Sequence, residues 1–367
     1  MTLPIFSRCL VLLSAIGCAL PAFADAFLEQ AKQRVAAATQ PWQTWEGPTA
    51  GPAAQADKQV LFIAADQRNS GVQGVSDGVR EATKVMGWRL RVLDGQGSVS
   101  GRTAALNQAI ALQPDGIILG GFDAREQSSA IAKVRAAGTP LVGWHAGPQA
   151  GAMPDEGLFV NVTTNPGEVA EIAAYYAVAQ SEGKAGVVIF TDSLYAVATA
   201  KSDAMAEVIK QCSGCSLLAV EDTPLAETSS RMPQLTTSLV QRYGERWNYA
   251  LGINDLYFDF MGPALSSLGR KPDGRLLSLS AGDGSQSAFQ RIRKSRYQVA
   301  TVPEPLNLHG WQLVDELNRA FAGEAPSGYV TAVHLVTPEN IQFDGGARNT
   351  FDPDNGYAMA YRKIWQR

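Results

Sequence analysis

Cysteine and histidine are scarce in this sequence, at four and three residues in a chain of 367. So few cysteines exclude a fold held by a disulfide framework. The histidines His145, His309 and His334 stand far apart, which argues against a zinc centre with its four ligands, and no metal site is expected. A basic excess is also lacking, because 31 Lys and Arg face 35 Asp and Glu for a formal charge of −4 at pH 7. That balance argues against nucleic acid as a partner, since phosphate binding needs a basic surface. Catalytic signatures are missing too. There is no G-x-G-x-x-G after the first predicted strand, no phosphate loop ending in Gly-Lys-Ser/Thr, no G-x-S-x-G elbow and no H-E-x-x-H. No cofactor and no catalytic residue are expected, and the reading leans to binding.

Long apolar runs are absent as well. The longest, Cys9 to Leu20, is too short for a bilayer, which needs about 20 residues. It follows Arg8 and precedes Ala22-Phe23-Ala24, the pattern of an export signal cleaved before Asp25, so residues 1–24 are expected to be a signal peptide and the mature protein periplasmic. Lipidation at Cys18 is the second reading, weakened by Ala15 where a larger aliphatic residue is usual. Past the leader only Cys212 and Cys215 remain. In an oxidising compartment they are expected to form a small structural disulfide between a helix end and a strand start. Thiol exchange is the lesser reading, because no helix pattern follows Cys215 to lower its pKa.

What the chain does contain is a repeated alternation of short apolar runs with amphipathic stretches. Val60–Ala65, Leu90–Leu93, Gly116–Gly120 and Pro140–Gly143 read as strands buried on both faces of a parallel sheet. Between the first two, Val72, Val75, Val79, Ala82 and Val85 share one helical face. A second series begins where Asn165 can cap a helix, Pro166 fits its first turn and Glu168 completes a capping box. Its strands are Gly186–Phe190, Leu217–Val220, Tyr249–Ile253, Leu276–Leu279 and Gln298–Val302. The expected fold is α/β, with two similar lobes that are each a parallel sheet flanked by helices. Residues 25–57 stand apart as an amphipathic helix (Phe27, Leu28, Ala31, Val35) with Trp42, Trp45 and a Gly/Pro/Ala-rich linker, expected to pack on a domain.

Ligands of open parallel sheets sit at the carboxyl ends of the strands. Here those ends are polar: Asp66, Arg68 and Asn69 after the first strand, Phe122-Asp123 after the third, and Trp144-His145 after the fourth. The second series adds Asp192-Ser193 with Tyr195, then Asn254-Asp255 and Asp283. Asp and Asn at such junctions also serve as helix caps, Asp123 above all because Glu126 completes a capping box; for Asp255 and Asp283 both roles stay open.

Asp77-Gly78-Val79-Arg80-Glu81-Ala82, Gln113-Pro114-Asp115-Gly116-Ile117-Ile118, Ala137-Gly138-Thr139-Pro140-Leu141-Val142, Ile253-Asn254-Asp255 and Ala281-Gly282-Asp283-Gly284 stand in an order that resembles the periplasmic sugar-binding proteins of the ribose-binding type, from about Lys58 to Ile341. The resemblance implies a type I periplasmic binding fold with a three-strand hinge near 162–164, 302–305 and 329–333. The first lobe would comprise 58–162 plus 304–330, the second 163–303 plus 331–341, and 342–367 would form a C-terminal tail. The last helix of the first lobe would be Leu306–Phe321. The resemblance also implies ligand contacts at Asn69, His145 with Ala146, Lys201, Asn254, Asp283 and Glu304. Two departures stand out: His145-Ala146 replaces an acid-arginine pair, and Ser70-Gly71-Val72 occupies the place of ring-stacking aromatics. Trp144, Phe122 and Tyr195 are the candidates for an apolar face. With Asp66, Asp255, Asp283 and Glu304 against Arg68, Lys201 and His145, the expected ligand is a neutral polyhydroxyl compound first and a cation second. The expected role is the capture component of an ABC-type importer, acting as a monomer with a membrane permease. A sensory protein presenting its ligand to a histidine kinase or chemoreceptor is the alternative.

Overall fold

The computed structural model describes residues 19–367, with side chains from Ala26 onward. Arg8 and Cys18, on which the export and lipidation readings rest, lie outside the described residues. Among the described residues no helix is long and apolar enough to cross a membrane.

Helix α1 (Ala19–Ala38) comes first, then a linker without regular structure. The first lobe follows as β1 (Gln59–Ala64), α2 (Ser70–Met86), β2 (Arg89–Asp94), α3 (Val99–Leu112), β3 (Gly116–Gly120), α4 (Ser128–Ala136), β4 (Leu141–Trp144), β5 (Gly151–Met153) and β6 (Leu158–Val162). The second consists of α5 (Pro166–Gln180), β7 (Gly186–Thr191), α6 (Ala196–Gln211), β8 (Ser216–Asp222), α7 (Thr228–Tyr243), β9 (Tyr249–Gly252), α8 (Leu256–Ser267), β10 (Leu277–Ser280), α9 (Gln286–Arg293) and β11 (Gln298–Thr301). The chain then returns with α10 (Leu306–Ala322) and ends with α11 (Ile341–Asp344) and α12 (Tyr357–Trp365).

The sheets run β2-β1-β3-β4-β6-β5 and β11-β10-β9-β7-β8, all parallel except the β5–β6 pair. Leaving out β5, both sheets have the same order, so each reverses direction beside its first strand, between β1 and β3 and between β7 and β9. The apolar runs explain this: β1, β3 and β4 are buried along almost their whole length, as strands covered on both faces must be. Each lobe has its own apolar core, the first around Phe62, Ile118 and Trp311 and the second around Val188, Phe190 and Leu251.

Helix α2 buries Val72, Val75, Val79 and Ala82 on the expected face, and Asn69 caps it by accepting from Gly71 N and Val72 N. Asn165 caps α5 in the same way, with Pro166 in the first turn. Helix α10 packs against α2 and so completes the first lobe after the chain has left it. Cys212, at the end of α6, is disulfide-bonded to Cys215 just before β8. Edge strand β5 has no counterpart in the apolar pattern; at three residues it is too short and too exposed to leave one.

Candidate functional site

The carboxyl ends of both sheets face one cleft of about 300 Å³ between the lobes. From the first lobe it is lined by Asp66, Arg68 and Asn69 after β1, by Trp144 at the end of β4 and by His145 just after it. The second lobe adds Tyr195 after β7, Lys201 on α6, Asn254 after β9 and Asp283 after β10. Strand ends bring these side chains together because both lobes have the same winding order and point their switch points at one another.

The first-lobe wall is built on short polar turns. Asp66 accepts from the backbone N and the guanidinium of Arg68, at 2.8 to 3.0 Å. Burial pushes the Asp66 carboxyl up, but the Arg68 bonds outweigh it and hold the group below its usual range. Trp144 stacks on His145 with ring centroids 3.9 Å apart, and His145 takes a left-handed φ of 50° that turns its ring back over the indole.

Beneath His145 lies a buried charged cluster that joins the lobes at the hinge. Glu304, fully buried, holds His145 Nε2 at 2.7 Å and Lys201 Nζ at 3.4 Å on one carboxylate oxygen. Burial opposes its charge, yet His145 and Lys201 outweigh that cost and hold Glu304 below the ordinary carboxylate range. Its other oxygen lies 3.4 Å from His309 Nδ1. Trp144 Nε1 donates to that same Nδ1 at 3.2 Å, so the His309 proton sits on Nε2, which donates to Thr331 Oγ1 at 2.8 Å. Burial pushes His309 down to about 4, and its contact with Glu304 is therefore not a charge pair near neutral pH. Thr331 in turn meets Thr164 Oγ1 at 2.7 Å. Residues from all three expected crossings, Thr164, Glu304 and Thr331, thus share one hydrogen-bonded network under the cleft floor.

Asp283 is the second acid of the site. It too has a left-handed φ, 42°, and accepts from Asn254 Nδ2. Burial raises its pKa, with His145 and Lys201 pulling the other way. It reaches across the cleft to the first turn of α2: a Cβ added to Gly71 would lie 2.5 Å from Asp283 Oδ2, so only glycine allows this approach.

Seven expected cleft residues do not line it. Ala146 is buried in the first-lobe core, Asp192 accepts from Leu194 N and Leu225 N, and Ser193 donates to Asp222. Phe122 is in the first-lobe core, its ring 5.7 Å from the Arg102 guanidinium. Asp123 caps the short turn after β3 by accepting from Arg125 N, as its capping position favours. Asp255 is fully buried and accepts from Gly284 N, Ser285 N and Gln298 Nε2, which holds the loop carrying Asp283 rather than presenting a carboxylate to the cleft. Glu304 lies below the floor and acts through His145 and Lys201. The remaining ones, Asp66, Arg68, Asn69, Trp144, His145, Tyr195, Lys201, Asn254 and Asp283, all face the cleft.

The wall also contains residues the sequence reading passed over: Leu225, Thr228 and Ser229 after β8, and Leu256 and Phe260 on α8. The strand-end rule applied to β8 would have found the first three. Behind the wall, buried Arg102 of α3 pairs with Glu126 at 2.6 and 2.8 Å, and its guanidinium lies 5.7 Å from Phe122 and 5.8 Å from the cleft residue Tyr195 of the other lobe. Among the described residues no cluster of three His, Cys, Asp or Glu could hold a metal.

Solved structures of similar fold include a sugar ABC transporter protein from Yersinia enterocolitica, with TM-score 0.70 and 17% identity over 86% of this chain and 100% of that one. The glucose-galactose binding protein GanP of Geobacillus stearothermophilus gives TM-score 0.68 and 18% identity over 78% of this chain and 99% of its own. An ABC transporter solute binding protein from Mycobacterium smegmatis, solved with bound glycerol, gives TM-score 0.70 and 17% identity over 81% of this chain and 99% of that one. No curated protein matches at a significant level. Residues 60–325 match the periplasmic binding protein domain, a non-enzymatic solute-binding family whose name carries its compartment, and the chain belongs to that family.

Proposed function

We propose that this protein captures a small polyhydroxyl solute in the cleft between its lobes and hands it to the permease of an ABC-type importer. The observation that carries this reading is the pairing of polar groups across the cleft: Asn254 and Asp283 from the second lobe face Asn69 and the Trp144-His145 pair from the first. Carboxylate and amide oxygens accept from hydroxyl hydrogens, Lys201 and amide N–H groups donate to hydroxyl oxygens, and Trp144 and Tyr195 supply ring faces for the apolar side of a sugar or polyol. Asp66, Asn69, Trp144, His145, Tyr195, Lys201, Asn254 and Asp283 are the proposed ligand contacts. Asp283, Asp66, Lys201 and Arg68 nearly cancel in charge, which fits a neutral ligand. Export through a cleaved signal peptide before Asp25 and a monomeric state belong to the same proposal.

The test is a thermal-shift screen with pentoses, hexoses, glycerol, inositol, quaternary amines and sugar phosphates. A ligand at 100 times its Kd adds about 2.7 kcal/mol to the folded state, well within detection. Neutral polyols should stabilise; hits confined to anions would overturn the reading. Loss of uptake of the stabilising compound in a deletion strain would support the importer role. Unimpaired uptake would point to the sensory alternative.

A further inference from the structure

The chain carries two interlobe connections besides the three hinge crossings, both outside the family-matched span. The first is N-terminal. Helix α1 lies on α5 of the second lobe, with Phe27 6.0 Å from the Tyr175 ring, and Ala38 O accepts from Leu335 N. The linker then passes to the first lobe, where Arg319 donates to Ala50 O, Asn318 donates to Pro52 O and Gln55 N donates to Asn318 Oδ1. The second is C-terminal. Around α11, Arg293 of α9 donates to Ile341 O and Gly346 O, and Phe351 packs with Phe289 and Ile292 of the second lobe. Helix α12 then lies on α10 of the first lobe, with Trp365 stacked on Trp311 at 5.4 Å.

The two connections lock onto each other where they cross. Trp42 stacks on Phe351 at 6.2 Å, and Phe351 stacks on His334 at 4.5 Å. Trp42 is the residue that packs against both the first-lobe core and the Phe289-Ile292-Val336-Ile341-Phe351 cluster of the second lobe. Beside it, Trp45 meets Tyr329 and Tyr361 edge-on at 5.1 and 5.3 Å.

We propose that the crossed terminal segments form a strap, pinned by Trp42 and Phe351, that limits how far the two lobes open, so that the ligand-free protein stays near the closed arrangement. Wide opening about the three crossings would draw the second-lobe cluster away from the first-lobe core, and Trp42 would have to leave one of them and expose apolar surface.

The experiment needs no ligand. Spin labels on Ser100→Cys in the first lobe and Ser230→Cys in the second flank the cleft-lining segments; in protein expressed from Asp25 onward, without Cys9 and Cys18, the native Cys212–Cys215 disulfide leaves no competing thiol. Pulsed electron resonance should give one narrow distance distribution in the strapped protein. In the Trp42→Ala, Phe351→Ala double variant it should broaden and move to longer distances. A specific protease site inserted between Asp354 and Asn355 gives a second route, because cutting it separates Phe351, packed on the second lobe, from α12 on the first lobe after folding is complete. Broadening on cutting supports the strap even where the double variant fails to fold. A distribution that is already broad in the intact chain, or one unchanged by both the cut and a folded double variant, overturns it.

Discussion

Asp283 shows at one residue how cleft chemistry and fold geometry are bound together. Its backbone sits in the left-handed region, its carboxylate is buried, Asn254 donates to it, and Gly71 of the opposite lobe leaves it room. Replacing it with Asn keeps the shape and removes the charge. A hydrogen bond to a charged group contributes about 1.5 to 3 kcal/mol, so the stabilising polyol should bind roughly tenfold or more weakly to Asp283→Asn in calorimetric titration. Equal affinity would mean that the acid only ties the loop. A different buried acid offers a test of the electrostatics away from the cleft. Burial, helped by Asp315, pushes Glu316 on α10 up to about 7 even though Ser327 donates to it. The folded state then keeps a proton that the unfolded chain releases above its normal pKa, and stability falls as pH rises from about 4.5 to 7. His309, pushed down to about 4, acts in the opposite sense: the unfolded chain takes up its proton first, and stability falls as pH drops from about 6.5 to 4. In Glu316→Gln the first contribution disappears. Its stability gain over the native protein should therefore be near zero at pH 4.5 and grow to at most about 3 kcal/mol by pH 7, read from urea melts across that range.

Among the elements, the turn after β10 is the one whose shape most depends on a residue that never reaches the cleft. Asp255 accepts from Ser280 Oγ at the start of the loop on which Asp283 rides, from Gly284 N and Ser285 N at its end, and from Gln298 Nε2 of β11. Asp255→Ala should leave two backbone donors and the Gln298 amide without their acceptor, at about 1 to 3 kcal/mol for each one that stays buried. Stability and ligand affinity should therefore fall together, whereas Asp283→Asn should lower affinity with little change in the melting temperature. The contrast also marks what was legible beforehand. Apolar runs placed the strands of both sheets except β6 and the edge strand β5, and the carboxyl-end rule led to Asn69, His145, Tyr195, Asn254 and Asp283, because both depend on local pattern. Whether Asp255 points into the cleft or back under the next loop depends on where β10 and β11 bring Ser280 and Gln298, far along the chain, and no local spacing carries that. Phe122 failed for the same reason: an aromatic residue after a strand packs inward when a helix such as α3 sets Arg102 over it. The terminal segments were readable as amphipathic and aromatic, but not as a bridge, since Trp42 meets Phe351 across more than 300 residues of sequence.

On the scale of the whole molecule, Trp144 ties the cleft to the hinge, and the last prediction rests on it. One face of its indole stacks on His145 at the cleft wall, and its N–H donates to His309, which passes the bond through Thr331 to Thr164 on two of the crossings. A ligand seated against His145 changes the polarity around that ring, and rotation of the lobes about Thr331 and Thr164 reaches the indole through His309, which lies with it in the first lobe. The polyol that raises the melting temperature should therefore shift or quench tryptophan emission. The change should vanish in Trp144→Phe, although six other tryptophans still emit. Solution scattering in the same titration should show compaction, modest in the native chain because the strap already holds the lobes near closure, and larger once Trp42 and Phe351 are replaced by alanine. The two readouts separate the claims. Binding that leaves both Trp144 emission and the scattering curve of the strap variant unchanged would contradict ligand capture between moving lobes. An emission change without extra compaction in the variant would preserve the binding site and remove the strap.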